Sequence, residues 1–181
     1  MSLVYIVLGK GFEEMEAVIP CDLLRRAGVQ TQFVGIGGLE IVGSRCICVR
    51  ADCTQEEARW QDADMIVLPG GLGGVASIRA DETVMQAVAQ AASNGKFVAA
   101  ICAAPIILAQ LGITDGKKAT CYPGMEDEMG NAVMCETDAV TDGKVITGRA
   151  AGAAFPFGLA LIEALCAEEK ATQIAQEVVF R

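Results

Sequence analysis

The chain has 181 residues, 52% of them hydrophobic, and 23 acidic against 14 basic residues give a formal charge of −9. That length suits one domain of roughly 100–200 residues with a full hydrophobic core, and so acidic a balance lacks the basic footprint that nucleic-acid phosphates require. The longest apolar run, Phe97 to Ala109, falls short of the ~18 residues of a membrane span, and no basic leader precedes the first apolar stretch, so a cytoplasmic protein without a membrane partner is expected.

Leu3 to Leu8 is continuously apolar and ends at Gly9, the pattern of a strand buried on both faces. From Glu13 to Ala27, apolar residues recur at helical spacing and Gly28 supplies a stop. Pro20 falls inside that helix and predicts a bend near Glu16 to Ile19, since an interior proline costs about 3 kcal/mol. Val29 to Ile36 reads as a second strand, and Gly37-Gly38 leads into a small hairpin around Ile41 and Ile47. Met65 to Leu68 is a further buried strand, followed by a loop from Pro69 to Gly74 and a helix from Thr83 to Ser93 that Asn94-Gly95 caps. Phe97 to Ile101 is again a strand, and Ala103 to Leu111 a helix that stops at Gly112. A hairpin over Ala139 to Thr147, turning at Asp142-Gly143, precedes helices at Phe155 to Leu165 and Glu168 to Val178. Strands alternating with helices imply a parallel sheet covered on both faces, whose ligands bind outside the carboxyl ends of the strands.

Eight cysteines and no histidine frame the chemistry. No C-x-x-C pair occurs and the spacings are irregular, so neither a redox dithiol nor a metal site is signalled, and no cofactor is expected. Without imidazole, only carboxylates, hydroxyls and backbone amides remain to assist a nucleophile. Cys102 lies where an apolar strand runs into a helix with an early proline, flanked by Ala100 and Ala104, small residues of the kind that a nucleophile elbow requires. Amides at a helix start can lower a thiol pKa from ~8.5 into the range ~3.5–7.5. On spacing alone, a small cysteine buried between alanines fits equally well. The glycines after Pro69 let amides approach a ligand closely, but the Lys-Ser/Thr pair of a phosphate loop is missing. Glu13, Glu14 and Glu16 suit a helix N-terminus, and Glu16 sits among apolar neighbours that favour a protonated carboxyl.

The segments Glu13 to Pro20, Val67 to Gly71 and Ala99 to Pro105 together resemble the ThiJ/PfpI superfamily, also called the DJ-one superfamily, in the branch of the Parkinsonism-associated protein and bacterial YajL. The resemblance covers nearly the whole chain. It implies a flavodoxin-like, three-layer αβα sandwich with a mostly parallel central sheet, and Cys102 as an oxidation-sensitive nucleophile with Glu16 as its protonated partner. It also implies amides of Gly70, Gly71 and Ala103 around the sulfur, Leu72 and Tyr122 near it, and a homodimer with Met15, Arg26 and Arg45 as interface candidates. Tyr122, within Thr120-Cys121-Tyr122-Pro123, stands where the family's human member has a histidine, which argues against the imidazole-dependent peptidase chemistry of the PfpI branch.

Three functions follow from the resemblance. In the first, Cys102 attacks small dicarbonyl compounds or glycated proteins, in glyoxalase-like or deglycase chemistry, with Glu16 moving the proton. In the second, Cys102 forms a sulfinate and the protein is a redox sensor or chaperone. The third, a thiamine-pathway enzyme, finds no phosphate or thiazole motif here.

Overall fold

The structure, a computed structural model, describes residues 2–180. In chain order it runs β1 (Leu3–Leu8), α1 (Glu14–Arg26), β2 (Gln30–Gly35), β3 (Glu40–Val42), β4 (Cys48–Arg50), β5 (Cys53–Thr54) and β6 (Met65–Leu68). There follow α2 (Leu72–Ala80), α3 (Glu82–Ser93), β7 (Phe97–Ile101), α4 (Pro105–Gln110), β8 (Lys118–Ala119), β9 (Val133–Met134), β10 (Ala139–Asp142), β11 (Val145–Gly148), α5 (Ala154–Cys166) and α6 (Glu168–Glu177). The main sheet has the order β10-β11-β7-β6-β1-β2-β5, and only β10 is antiparallel to its neighbour.

Successive strand residues point to opposite faces, and here both faces are covered. Tyr5, Val7, Ile66, Leu68, Val98 and Ala100 join one core with α2, α3 and α4. Val4, Ile6, Met65, Val67, Ala99 and Ile101 join the other with α1, α5 and α6. The result is the three-layer αβα sandwich with a mostly parallel sheet. Among the described residues no helix is long and apolar enough to cross a membrane.

The helix α1 is continuous through Pro20, and one local expectation changes. Its lost backbone bond is offset by packing on α5, where a Cβ placed on Gly158 would meet Pro20 Cα at 3.3 Å and Leu23 Cδ1 at 2.7 Å, so the two helices lie against each other. The loop expected up to Gly74 ends at Gly71, and α2 fills Leu72–Ala80. Gly74 is in that helix because a Cβ there would come within 2.7 Å of Phe12 Cα, and only glycine lets α2 sit so close to the segment after β1.

Candidate functional site

The strands β7, β6 and β1 are neighbours in the sheet and run the same way, so the loops after them share one edge. Those loops deliver Cys102 after Ile101, Gly70 and Gly71 after Leu68, and Glu13 to Glu16 at the start of α1. Glu13 caps that helix, its Oε2 accepting the Glu16 N–H at 2.9 Å, which fixes where the Glu16 side chain leaves the backbone.

Cys102 has φ 65°, a left-handed conformation that a non-glycine residue holds only when its surroundings impose it. Two bonds impose it here: the Cys102 N–H donates to Gly148 O at 2.9 Å, and its carbonyl accepts the Tyr122 N–H at 2.7 Å. The half-buried sulfur receives hydrogen bonds from the amides of Ala103 and Gly71. Gly71 has φ 78°, and a Cβ there would lie 2.5 Å from Gly11 O. The amide of Gly70 is not free for a ligand, because it donates to Glu16 Oε2 at 2.8 Å. This corrects the expectation that it faces the sulfur as an oxyanion donor.

Glu16 is fully buried. Its Oε1 has no nitrogen or oxygen partner, and beyond Gly70 the group its carboxyl meets is the Cys102 thiol. Burial pushes the carboxyl up to about 7, against the opposing bonds from Cys102 and Gly70. Burial first, and then the charge of an ionised Glu16, push the thiol up to about 12, with the Ala103 and Gly71 amides pulling the other way. The sequence predicts the opposite direction for this thiol. The difference arises because α4 starts only at Pro105 and is short, while Cys102 turns its side chain against a buried carboxyl. An ionised Glu16 raises the thiol, whereas the bond from Cys102 lowers the carboxyl, so the pair gives up its first proton near pH 7 and holds its second to far higher pH. With that one remaining proton on Glu16, the sulfur feels no carboxylate charge and gains a donor.

A cleft of about 1090 Å³ opens over the pair. Met15, Arg45, Leu72, Ala103 and Tyr122 line it with Cys102 and Glu16. Arg26 is elsewhere, on the exposed face of α1 in an ion pair with Asp22 at 2.7 Å. Glu14 has a part that charge at a helix start does not reveal. Its carboxylate accepts the N–H of Arg45 at 2.6 Å and of Ile47 at 3.4 Å, and the Ser44 hydroxyl at 3.2 Å, pinning the β3–β4 turn beside the cleft. Burial would raise its pKa, but those donors outweigh it and hold the carboxyl below the usual range. Only the pairing of residues some thirty positions apart creates this site, and no local pattern announces it. Of the other cysteines, Cys21 and Cys121 are buried and pushed up to about 11 by that burial, whereas Cys46, Cys48 and Cys166 are exposed. Among the described residues no three His, Cys, Asp or Glu side chains converge as a metal-binding set.

Comparison with known proteins gives concordant results. The profile of the DJ-1/PfpI family matches residues 2–164. Protein dj-1beta of Drosophila melanogaster is 37% identical over 174 residues, covering 94% of this chain and 93% of that protein. Deglycase PH1704 of Pyrococcus horikoshii is 33% identical over 140 residues, covering 76% of this chain and 84% of that protein. The solved structure of oxidized Toxoplasma gondii DJ-1 superposes with a TM-score of 0.95 at 30% identity, covering 99% of each chain.

Proposed function

We propose that this chain, which belongs to the DJ-1/PfpI family, acts on small reactive dicarbonyl compounds or their protein adducts, with Cys102 as nucleophile and Glu16 as proton donor and acceptor. The observation that carries this reading is the buried Glu16 carboxyl whose unpartnered Oε1 and raised pKa accompany a thiol at the floor of an open cleft. A deglycase among the relatives supports the substrate class.

With methylglyoxal, the Cys102 thiolate attacks the aldehyde carbon, the carbonyl π pair moves to oxygen, and that oxygen takes the Glu16 proton to give a hemithioacetal. The Glu16 carboxylate then removes the hydrogen on the former aldehyde carbon. Returning that proton to the adjacent carbon, while the hydroxyl proton passes from the former aldehyde oxygen to the neighbouring oxygen, converts the enediolate to a thioester of lactate. Water cleaves the thioester, releasing lactate and restoring the thiol. One water is consumed, and the oxidation of one carbon balances the reduction of its neighbour. The Ala103 and Gly71 amides, which hydrogen-bond the sulfur, stabilise the anionic form that attacks. Purified protein should consume methylglyoxal and yield lactate, and Cys102→Ser should abolish both. Equal rates in the two proteins would remove Cys102 from the reaction.

The same unpartnered Oε1 supports a second reading, redox sensing. The thiolate attacks one oxygen of peroxide and the O–O bond breaks, giving the sulfenate and one water, and a second peroxide gives the sulfinate and another water. A protonated Glu16 would donate to a sulfinate oxygen. Sensing without turnover predicts sulfinate formation in a protein that leaves methylglyoxal unchanged.

A further inference from the structure

The cleft over Cys102, about 1090 Å³, matches the sites of roughly 300–1,000 Å³ that enclose ligands of drug size, and methylglyoxal alone would leave most of it to water. Two large apolar side chains line it while exposed: Leu72, the first residue of α2, at 74%, and Tyr122 at 48%. Neither belongs to either hydrophobic core. Both are tied to the nucleophile through the backbone. Leu72 follows Gly71, whose amide bonds the sulfur, and the Tyr122 N–H donates to Cys102 O at 2.7 Å. Pro123 and Met125 continue the apolar lining beyond Tyr122.

We propose that this cleft selects an uncharged electrophile with an apolar body, and that Leu72 and Tyr122 determine this specificity. For the reacting end the inference rests on the reaction proposed above, under which the substrate is an α-oxo aldehyde with a medium-length alkyl chain or an aromatic ring in place of the methyl group. Exposed apolar surface beside a reactive group marks a ligand groove, and a body that covers Leu72 and Tyr122 removes their surface and its own from water. The charged residues of the lining are Glu13, Glu16 and Arg45. In the attacking state Glu16 holds its proton, Glu13 and Arg45 carry opposite charges, and the remaining charge is that of the sulfur. An anionic body meets that net negative charge, and a charge of either sign loses water against the apolar side chains. The larger aldehyde follows the same steps as methylglyoxal: the C–S bond forms, hydrogen moves from the aldehyde carbon to its neighbour, and one water releases a 2-hydroxy acid and restores the thiol.

N-hexyl iodoacetamide and iodoacetamide share a reacting carbon and differ in the apolar tail; with each, the thiolate forms the C–S bond as iodide leaves. The ratio of the two alkylation rates, read by peptide mass spectrometry, should be at least tenfold higher at Cys102 than at exposed Cys166 in the same chain. The double substitution Leu72→Ser and Tyr122→Ser should lower that ratio at least fivefold, whereas Leu72→Met with Tyr122→Phe, which keeps the apolar surface, should retain it. Amide NMR spectra that overlay away from the cleft establish that both variants are folded. In turnover, 2-oxooctanal should show a kcat/KM at least tenfold above that of methylglyoxal, and 4,5-dioxopentanoate, whose body carries a carboxylate, should fall well below 2-oxooctanal. Alkylation requires no dicarbonyl chemistry, so a chain that leaves all three aldehydes unchanged but shows the tail preference at Cys102 contradicts the proposed reaction and supports the apolar cleft. Methylglyoxal turnover without a tail preference does the reverse. A Cys102 ratio equal to that of Cys166, a serine double variant with the wild-type ratio, or equal use of 4,5-dioxopentanoate and 2-oxooctanal would each overturn the proposal.

Discussion

In its left-handed conformation Cys102 is held by Gly148 and Tyr122 so that its sulfur meets Glu16, and the protonation of that one carboxyl governs the residue-scale behaviour. Folding raises the Glu16 pKa from 4.5 to about 7. Between those values the folded chain binds more protons than the unfolded one, so stability is greatest below the lower value and falls as pH rises through the upper. One pKa unit corresponds to ~1.4 kcal/mol, so the full loss is about 3 kcal/mol. Urea denaturation from pH 4 to pH 8 should show this decline in wild type and not in Glu16→Gln; parallel curves would place the raised pKa elsewhere. Oxidation provides a second residue-scale prediction. Graded peroxide should modify Cys102 before the other cysteines and stop largely at the sulfinate, with exposed Cys46, Cys48 and Cys166 as controls for access alone. Glu16→Gln keeps a donor and should retain part of the effect, while Glu16→Ala should lose it, a charge-assisted bond being worth roughly 1.5–3 kcal/mol. Peptide mass spectrometry that finds another thiol oxidised first would contradict this.

Among elements, α2 depends most on glycine. A Cβ on Gly74 would press on Phe12 Cα at 2.7 Å, a backbone atom that cannot swing aside, so Gly74→Ala should destabilise the chain by about 1–3 kcal/mol in chemical denaturation. A loss under half a kcal/mol, by order of magnitude, would mean that the helix is not tied to that segment. This helix was also the element least visible in the sequence. Gly73 and Gly74 read as loop because local propensity disfavours helix there, and only contact with the chain after β1 explains them. Strands such as β1 and β7 were legible because burial on both faces leaves an unbroken apolar run. The positions of Cys102 and Glu16 were legible through the strand-to-helix junction and the apolar setting. The direction of the Cys102 shift was not, because it depends on a carboxyl more than eighty residues away in the chain, and the use of Gly70 by Glu16 was hidden for the same reason.

For the whole molecule, a homodimer is predicted through the exposed apolar residues Met15 and Val18 on α1 and Val42 and Ile47 on the β3–β4 hairpin, a two-fold contact being the commonest closed arrangement. Light scattering should give twice the chain mass of 18.9 kDa at micromolar concentration, and Val18→Glu should shift it to the monomer. A monomeric wild type would contradict the dimer. In the intact chain the eight cysteines can be followed side by side, and the central measurement is the rate of iodoacetamide alkylation of each one as a function of pH, read by peptide mass spectrometry. Once the pair has lost its first proton, the fraction carrying its proton on Glu16 and its charge on sulfur is constant. The Cys102 rate should therefore rise through a midpoint at about 7, below the ~8.5 of an ordinary thiol, then level off, and Glu16→Ala should erase that step. A Cys102 that stays silent until strongly alkaline pH, or a profile that Glu16→Ala leaves unchanged, would show that the two residues do not share a proton and would contradict the site as described.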